Sequence, residues 1–220
     1  MYLNSPTLCT CFLTVGGAVA AAPVLIRGFK RRGSGVKYEK NFLIQRAPQF
    51  LSLVNVFLIV IAFLLYIDFP INLPADRSQF TLFVLSHSEP IGLAAWISWL
   101  GVLILASGMI FMIGGWYSLG KYFSTDAELL EGHQVYKGGL FKYVMHPAYS
   151  GIIQCLLGAS LAATSIFCAL FTLFVVAPLW LKRAKYEEQL LLEHLGASYK
   201  DYGDELKWRR LVPTIFPFGV

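Results

Sequence analysis

His146-Pro147, Tyr149, Gly151, Arg183 and Glu187-Glu188 are the residues of this chain whose types and spacing lend themselves to chemistry. Proline disfavours helix for the residue before it and suits a first helical position. The dipeptide therefore predicts a helix from Pro147 with His146 beside its N-terminus, where the partial positive charge attracts anionic groups. Tyr149 and Gly151 then fall in or near the first turn, and the glycine allows close approach of a ligand or a neighbouring helix. Glu187 and Glu188 project about 100° apart on a helix, so one can face the bundle and the other water. Arg183 precedes Glu187 by four residues, the spacing of a helical ion pair. An interfacial histidine and tyrosine, or adjacent acids on an exposed helix, are also ordinary structural features. These residues alone leave both readings open.

The elements that must position them are set by an apolar composition. Of 220 residues, 56% are hydrophobic and only 14% charged, well below the roughly 25% of a soluble domain. That excludes a disordered chain and an ordinary secreted domain, and makes lipid the expected solvent. A crossing helix needs about 20 apolar residues. Leu8 to Ile26, Phe50 to Phe69 (with Asp68 at its edge) and Ile91 to Trp116 each fit one. Ala148 to Leu181 is an uncharged run of 34 residues. As one helix it would be about 51 Å long at a rise of roughly 1.5 Å, well beyond a hydrocarbon core of roughly 30 Å. Two short helices turning near Ala163-Thr164-Ser165 fit better, giving five spans. The expected division is 1–114 for the first three helices and 115–220 for a second region: a cytoplasmic connector, the hairpin and a C-terminal helix. Leu211 to Phe218 is apolar and broken by proline, and is expected on the bilayer surface or against the bundle.

Charge placement supports the count. Seventeen of the 18 Lys and Arg residues fall on one side if the N-terminus is outside and the C-terminus cytoplasmic; Arg77 is the exception. This is the positive-inside pattern. It explains the net charge of +5 without nucleic acid. The first apolar run has nothing basic before it and a basic cluster after it, so it reads as a retained anchor. Cys9, Cys11, Cys155 and Cys168 lie inside apolar runs without zinc spacing, and read as packing residues. There is no glycine-rich dinucleotide fingerprint after a strand.

Taken in order, the polar motifs resemble those of the isoprenylcysteine carboxyl methyltransferase family of integral membrane enzymes. That family's pattern is Tyr-x-x-Arg-His-Pro-x-Tyr-x-Gly, a helical hairpin, Arg-x-x-x-Glu-Glu, Gly-x-x-Tyr-x-x-Tyr and an apolar end containing proline. Here these are Tyr143-Val-Met-His146-Pro147-Ala-Tyr149-Ser-Gly151, Arg183-Ala-Lys-Tyr-Glu187-Glu188, Gly196-Ala-Ser-Tyr199-Lys-Asp-Tyr202 and Leu211-Val-Pro213-Thr-Ile-Phe-Pro217. Glu131 to Val135 also resembles the segment before the His-Pro motif. The likeness runs from about Gly115 to Phe218. It departs at Met145, which stands where the family has arginine.

The resemblance implies an all-α integral membrane methyltransferase that uses S-adenosylmethionine, with its C-terminal helix capping the cofactor pocket. It implies cofactor contacts from His133, Gln134, Val135, Tyr143, His146, Tyr149 and Glu187. It implies catalytic parts for Arg183, Glu188 and His146, with Arg183 holding an acceptor carboxylate. The acceptor would be lipophilic, most simply an isoprenylcysteine-like carboxylate entering from the bilayer, while the polar cofactor enters from the cytoplasm. Phospholipid amines and thiols are alternative acceptors. A sterol-reductase-like enzyme using NADPH and a non-catalytic membrane protein are alternative functions. No metal is implied.

Overall fold

The computed structural model describes residues 5–35, 37–38, 41–66, 93–132, 134–207 and 209–211. Asp68, Arg77, His133 and the apolar end beyond Leu211 lie outside these. The described chain is almost entirely helical: α1 (Ser5–Arg31), α2 (Phe42–Gln45), α3 (Ala47–Tyr66), α4 (Leu93–Leu119), α5 (Pro147–Ala162), α6 (Ile166–Phe171), α7 (Ala177–Leu195) and α8 (Ala197–Glu205). Two residues on each side, β1 (Lys37–Tyr38) and β2 (Glu128–Leu129), pair antiparallel. This small ladder ties the segment after α1 to the connector after α4.

Among the described residues, three helical stretches are long and apolar enough to cross a membrane: Pro6–Arg31, Ala95–Tyr122 and Ile166–Leu195. Ala47–Phe63 and Pro147–Ala162 are shorter apolar helices. The uncharged run turns where expected. Ser165 caps α6, its Oγ accepting from Cys168 N at 3.3 Å. The second arm is longer than the sequence suggests. α6 passes through a π turn at Thr172–Val176 into α7 without a break, so the hydrophobic arm and the acidic segment form one rod of 30 residues. Pro178, which has no N–H for the regular ladder, follows the widened turn and does not end the helix. Nothing between Leu181 and Leu195 breaks this helix, and Gly196, at φ 56°, ends it.

α4 and α5 pack closest. Gly101, Gly108 and Gly115 recur every seven residues on α4 and face Gly151, Gly158 and their neighbours on α5. A methyl group added at Gly158 would stand 2.8 Å from Leu105 Cα, and one at Gly151 2.6 Å from Met112 Cα. Small residues let apolar helices approach through their backbones where lipid offers no hydrophobic drive. Ser98 Oγ donates to Ala162 O at 2.7 Å, and Ser107 Oγ to Gln154 Oε1 at 2.8 Å.

The basic segments gather at one end of this bundle. Buried Asp126 takes Arg46 on both oxygens (2.7 and 3.2 Å) and Arg32 Nε at 3.2 Å. Arg31 Nη1 donates to Gly120 O at 2.8 Å. The end of α1, the start of α3, the connector and the start of α5 thus meet on one side, together with the charged half of α7.

Candidate functional site

α5 begins at Pro147, and His146 occupies its N-cap position with non-helical backbone, at φ -126° and ψ 68°. The proline enforces this, as the dipeptide predicts. His146 is 8% exposed and stacks flat on Tyr149, with ring centroids 5.4 Å apart and planes 2° apart. One turn of α7 lies opposite. His146 Nε2 is 3.2 Å from Glu188 Oε1, and Nδ1 is 3.9 Å from Glu187 Oε2. The Tyr149 hydroxyl donates to Glu187 Oε1. Both acids are therefore used, on different sides of the imidazole, as their angular separation on a helix requires.

Arg183 is 2% exposed and fully engaged on three sides. Its Nε donates to Tyr149 Oη at 3.0 Å and Glu187 Oε1 at 3.2 Å; Nη1 donates to Gln45 O at 3.2 Å and Nη2 to Thr125 O at 3.0 Å. Its guanidinium also lies over the Tyr149 and Trp180 rings. The i,i+4 spacing is realised as part of a larger lock that joins α2, the connector, α5 and α7.

A cavity of about 960 Å³ opens against this cluster. Its polar end is lined by Thr125, Gln134, His146, Tyr149, Arg183 and Glu187. Its apolar end runs between α1, α3, α4 and α5, past Leu53, Val56, Met109 and Ile152. Met145, Tyr199 and Tyr202 close one wall, packed with Leu191 and Leu195. The Tyr202 hydroxyl donates to Phe141 O at 2.8 Å. Burial pushes both phenols above the ordinary tyrosine range, with the Glu188 charge adding to it for Tyr199 and Glu205 for Tyr202. Two buried polar atoms beside Arg183, Thr125 Oγ1 and Gln45 Nε2, have no partner among the described residues; Thr125 is itself a lining residue.

Of the residues singled out from the sequence, His146, Tyr149, Arg183 and Glu187 come together at the cavity, and Gln134 and Val135 line it. Glu188 is held by His146 and Arg210 and is not a lining residue. Tyr143 is 62% exposed and is not brought to the cavity. Thr125, Gln45 and Arg210 were not anticipated: each is a lone polar residue in a loop or at a helix end, and no spacing marks it.

Fold and site together define a membrane-type helical bundle with a buried histidine–carboxylate cluster at the mouth of an internal cavity. Residues 99–193 match the model of the isoprenylcysteine carboxyl methyltransferase family, so the likeness carried by the motifs holds from α4 through α7. Over 125 residues the chain is 24% identical to the protein-S-isoprenylcysteine O-methyltransferase of Mus musculus, covering 56% of this chain and 42% of that protein. It is 26% identical over 125 residues to protein-S-isoprenylcysteine O-methyltransferase B of Arabidopsis thaliana, covering 56% and 60%. An uncharacterized protein of Haemophilus influenzae is 34% identical over 93 residues, covering 42% of this chain and 53% of that protein. The chain spans about half the length of the curated relatives it matches.

Proposed function

We propose that this protein is an S-adenosylmethionine-dependent methyltransferase that crosses the membrane five times, N-terminus outside and C-terminus cytoplasmic, and acts on a lipophilic acceptor. The leading acceptor is the carboxylate of an isoprenylcysteine-like molecule, in line with the names of the relatives. The observation that carries this reading is the cavity that joins the polar cluster to an apolar space between helices. Two reactants that prefer different solvents can meet only in such a place.

The residues present fit the cofactor. A carboxylate facing the cavity (Glu187), an aromatic face (Tyr149), main-chain groups at Gln134 and Val135, and the unpartnered Thr125 hydroxyl suit a molecule with a ribose, an ammonium and a purine. When bound, S-adenosylmethionine supplies a methyl group on a positively charged sulfur. Glu187 would accept hydrogen bonds from its hydroxyl or ammonium groups. Arg183 would hold Glu187 and Tyr149 in one geometry, since its guanidinium is bound to two carbonyls and to Glu187. A carboxylate acceptor is already ionised at neutral pH and needs no general base. What remains is alignment and exclusion of water, which the buried walls provide.

Titration calorimetry of the detergent-solubilised protein tests this reading. S-adenosylmethionine binds and NADPH does not. Glu187→Ala weakens binding by about 10- to 100-fold, the value of a charge-assisted hydrogen bond of roughly 1.5–3 kcal/mol. Unchanged affinity in that variant removes Glu187 from the site, and NADPH binding in place of S-adenosylmethionine replaces the methyltransferase by a reductase.

A further inference from the structure

Arg210 belongs to none of the motifs and lies beyond residues 99–193, yet the tail it sits on is bonded to the His-Pro corner. Met145 N donates to Arg209 O at 2.9 Å and His146 N to Arg210 O at 3.1 Å. These two bonds satisfy backbone donors just ahead of α5 that the helix itself cannot use. The Arg210 side chain then turns inward, 15% exposed, and its Nε donates to Glu188 Oε2 at 2.9 Å. The other oxygen of Glu188 faces His146 Nε2 at 3.2 Å. The arrangement is a chain of three: tail arginine, helix carboxylate, corner imidazole.

A carboxylate accepts and does not donate, so the imidazole nitrogen that faces Glu188 carries the proton. Nδ1 stands 3.9 Å from Glu187 Oε2, beyond hydrogen-bond distance, so in the neutral ring it is an acceptor left facing the cavity. Glu188 is 3% exposed. A carboxylate that far from water needs a counter-charge, and the Arg183 guanidinium is bound to Glu187 instead. Arg210 supplies it.

We propose that Arg210 is a positioning residue: it reaches in from the C-terminal tail, holds Glu188, and through Glu188 fixes the ring orientation and tautomer of His146 at the cavity. The tail thereby becomes part of the site from beyond the residues that match the family model. The role in ligand binding rests on the function proposed above; the role in fixing His146 does not.

The test uses the full chain in detergent micelles with 15N-labelled histidine, the His146 signals assigned by their loss in His146→Gln. The wild-type ring shows one tautomer, protonated on Nε2. Arg210→Ala gives a mixture of tautomers, and Arg210→Lys returns the wild-type pattern. Should Arg210→Ala not fold, Arg210→Gln is read in the same way. By calorimetry Arg210→Ala lowers affinity for S-adenosylmethionine about tenfold, whereas in a Glu188→Gln background the same change alters it less than about twofold, because the two residues act as one unit. An unchanged histidine spectrum in Arg210→Ala, or fully additive losses in the cycle, overturns the proposal. A wild-type chain that binds no S-adenosylmethionine overturns the function proposed above, and the histidine spectrum, read without ligand, still decides this one.

Discussion

Met145 shows how much a single side chain depends on its neighbours. It stands where the resembling family has arginine, yet it is 3% exposed and packed against Tyr199 and Tyr202. A flexible thioether suits an irregular aromatic wall. A guanidinium there would be buried without an identified anion, since Glu187 and Glu188 are already bound by Arg183 and Arg210. Met145→Arg is therefore expected to destabilise the protein by on the order of 3 kcal/mol, while Met145→Leu costs less than about 1.5 kcal/mol. Thermal unfolding in one detergent measures both. Equal melting temperatures would mean that the arginine finds water or an anion at this position.

At the scale of elements, the α4–α5 seam holds the site in place, because α5 carries the His-Pro corner and α4 is its closest neighbour. Separating the two backbones moves His146 relative to α7. Gly158→Leu is expected to destabilise by about 3 kcal/mol or more, since backbone atoms of α4 cannot yield as a side-chain tip can. Gly16 on α1 has open space where a side chain would go, so Gly16→Ala leaves the melting temperature unchanged or slightly raised. A Gly158→Leu protein as stable as wild type would show that the seam is loose. The long α6–α7 rod belongs to the same scale. It brings the carboxylates out of the apolar layer on a stiff support, with the π turn at Thr172–Val176 as its one irregularity.

For the whole molecule the issue is which end faces which solvent. The Asp126 clasp, the α1 terminus and the charged part of α7 share one end, and seventeen of 18 basic residues are expected on that side. With Cys9, Cys11, Cys155 and Cys168 replaced, Ser34→Cys and Lys200→Cys in sealed vesicles of native orientation are expected to react with a membrane-impermeant maleimide only after the bilayer is opened. Ser78→Cys is expected to react at once. Immediate labelling at Ser34 or Lys200 would reverse the orientation or change the number of crossings.

The sequence by itself determined the solvent, the helices and the corner. Apolar run lengths marked the hairpin and its turn, and Pro147 fixed where α5 starts, because these follow from local sterics and from the thickness of a bilayer. Spacing also placed Arg183 against Glu187, since four residues on a helix are neighbours whatever surrounds them. Only the tertiary structure decided that Glu188 turns away from the cavity toward Arg210, that Tyr143 points outward, and that Gln45 and Thr125 support Arg183. Those contacts join residues 22 to 138 positions apart. No local periodicity records them, because they exist only once α2, the connector, α7 and the tail have been packed against the same end of α5.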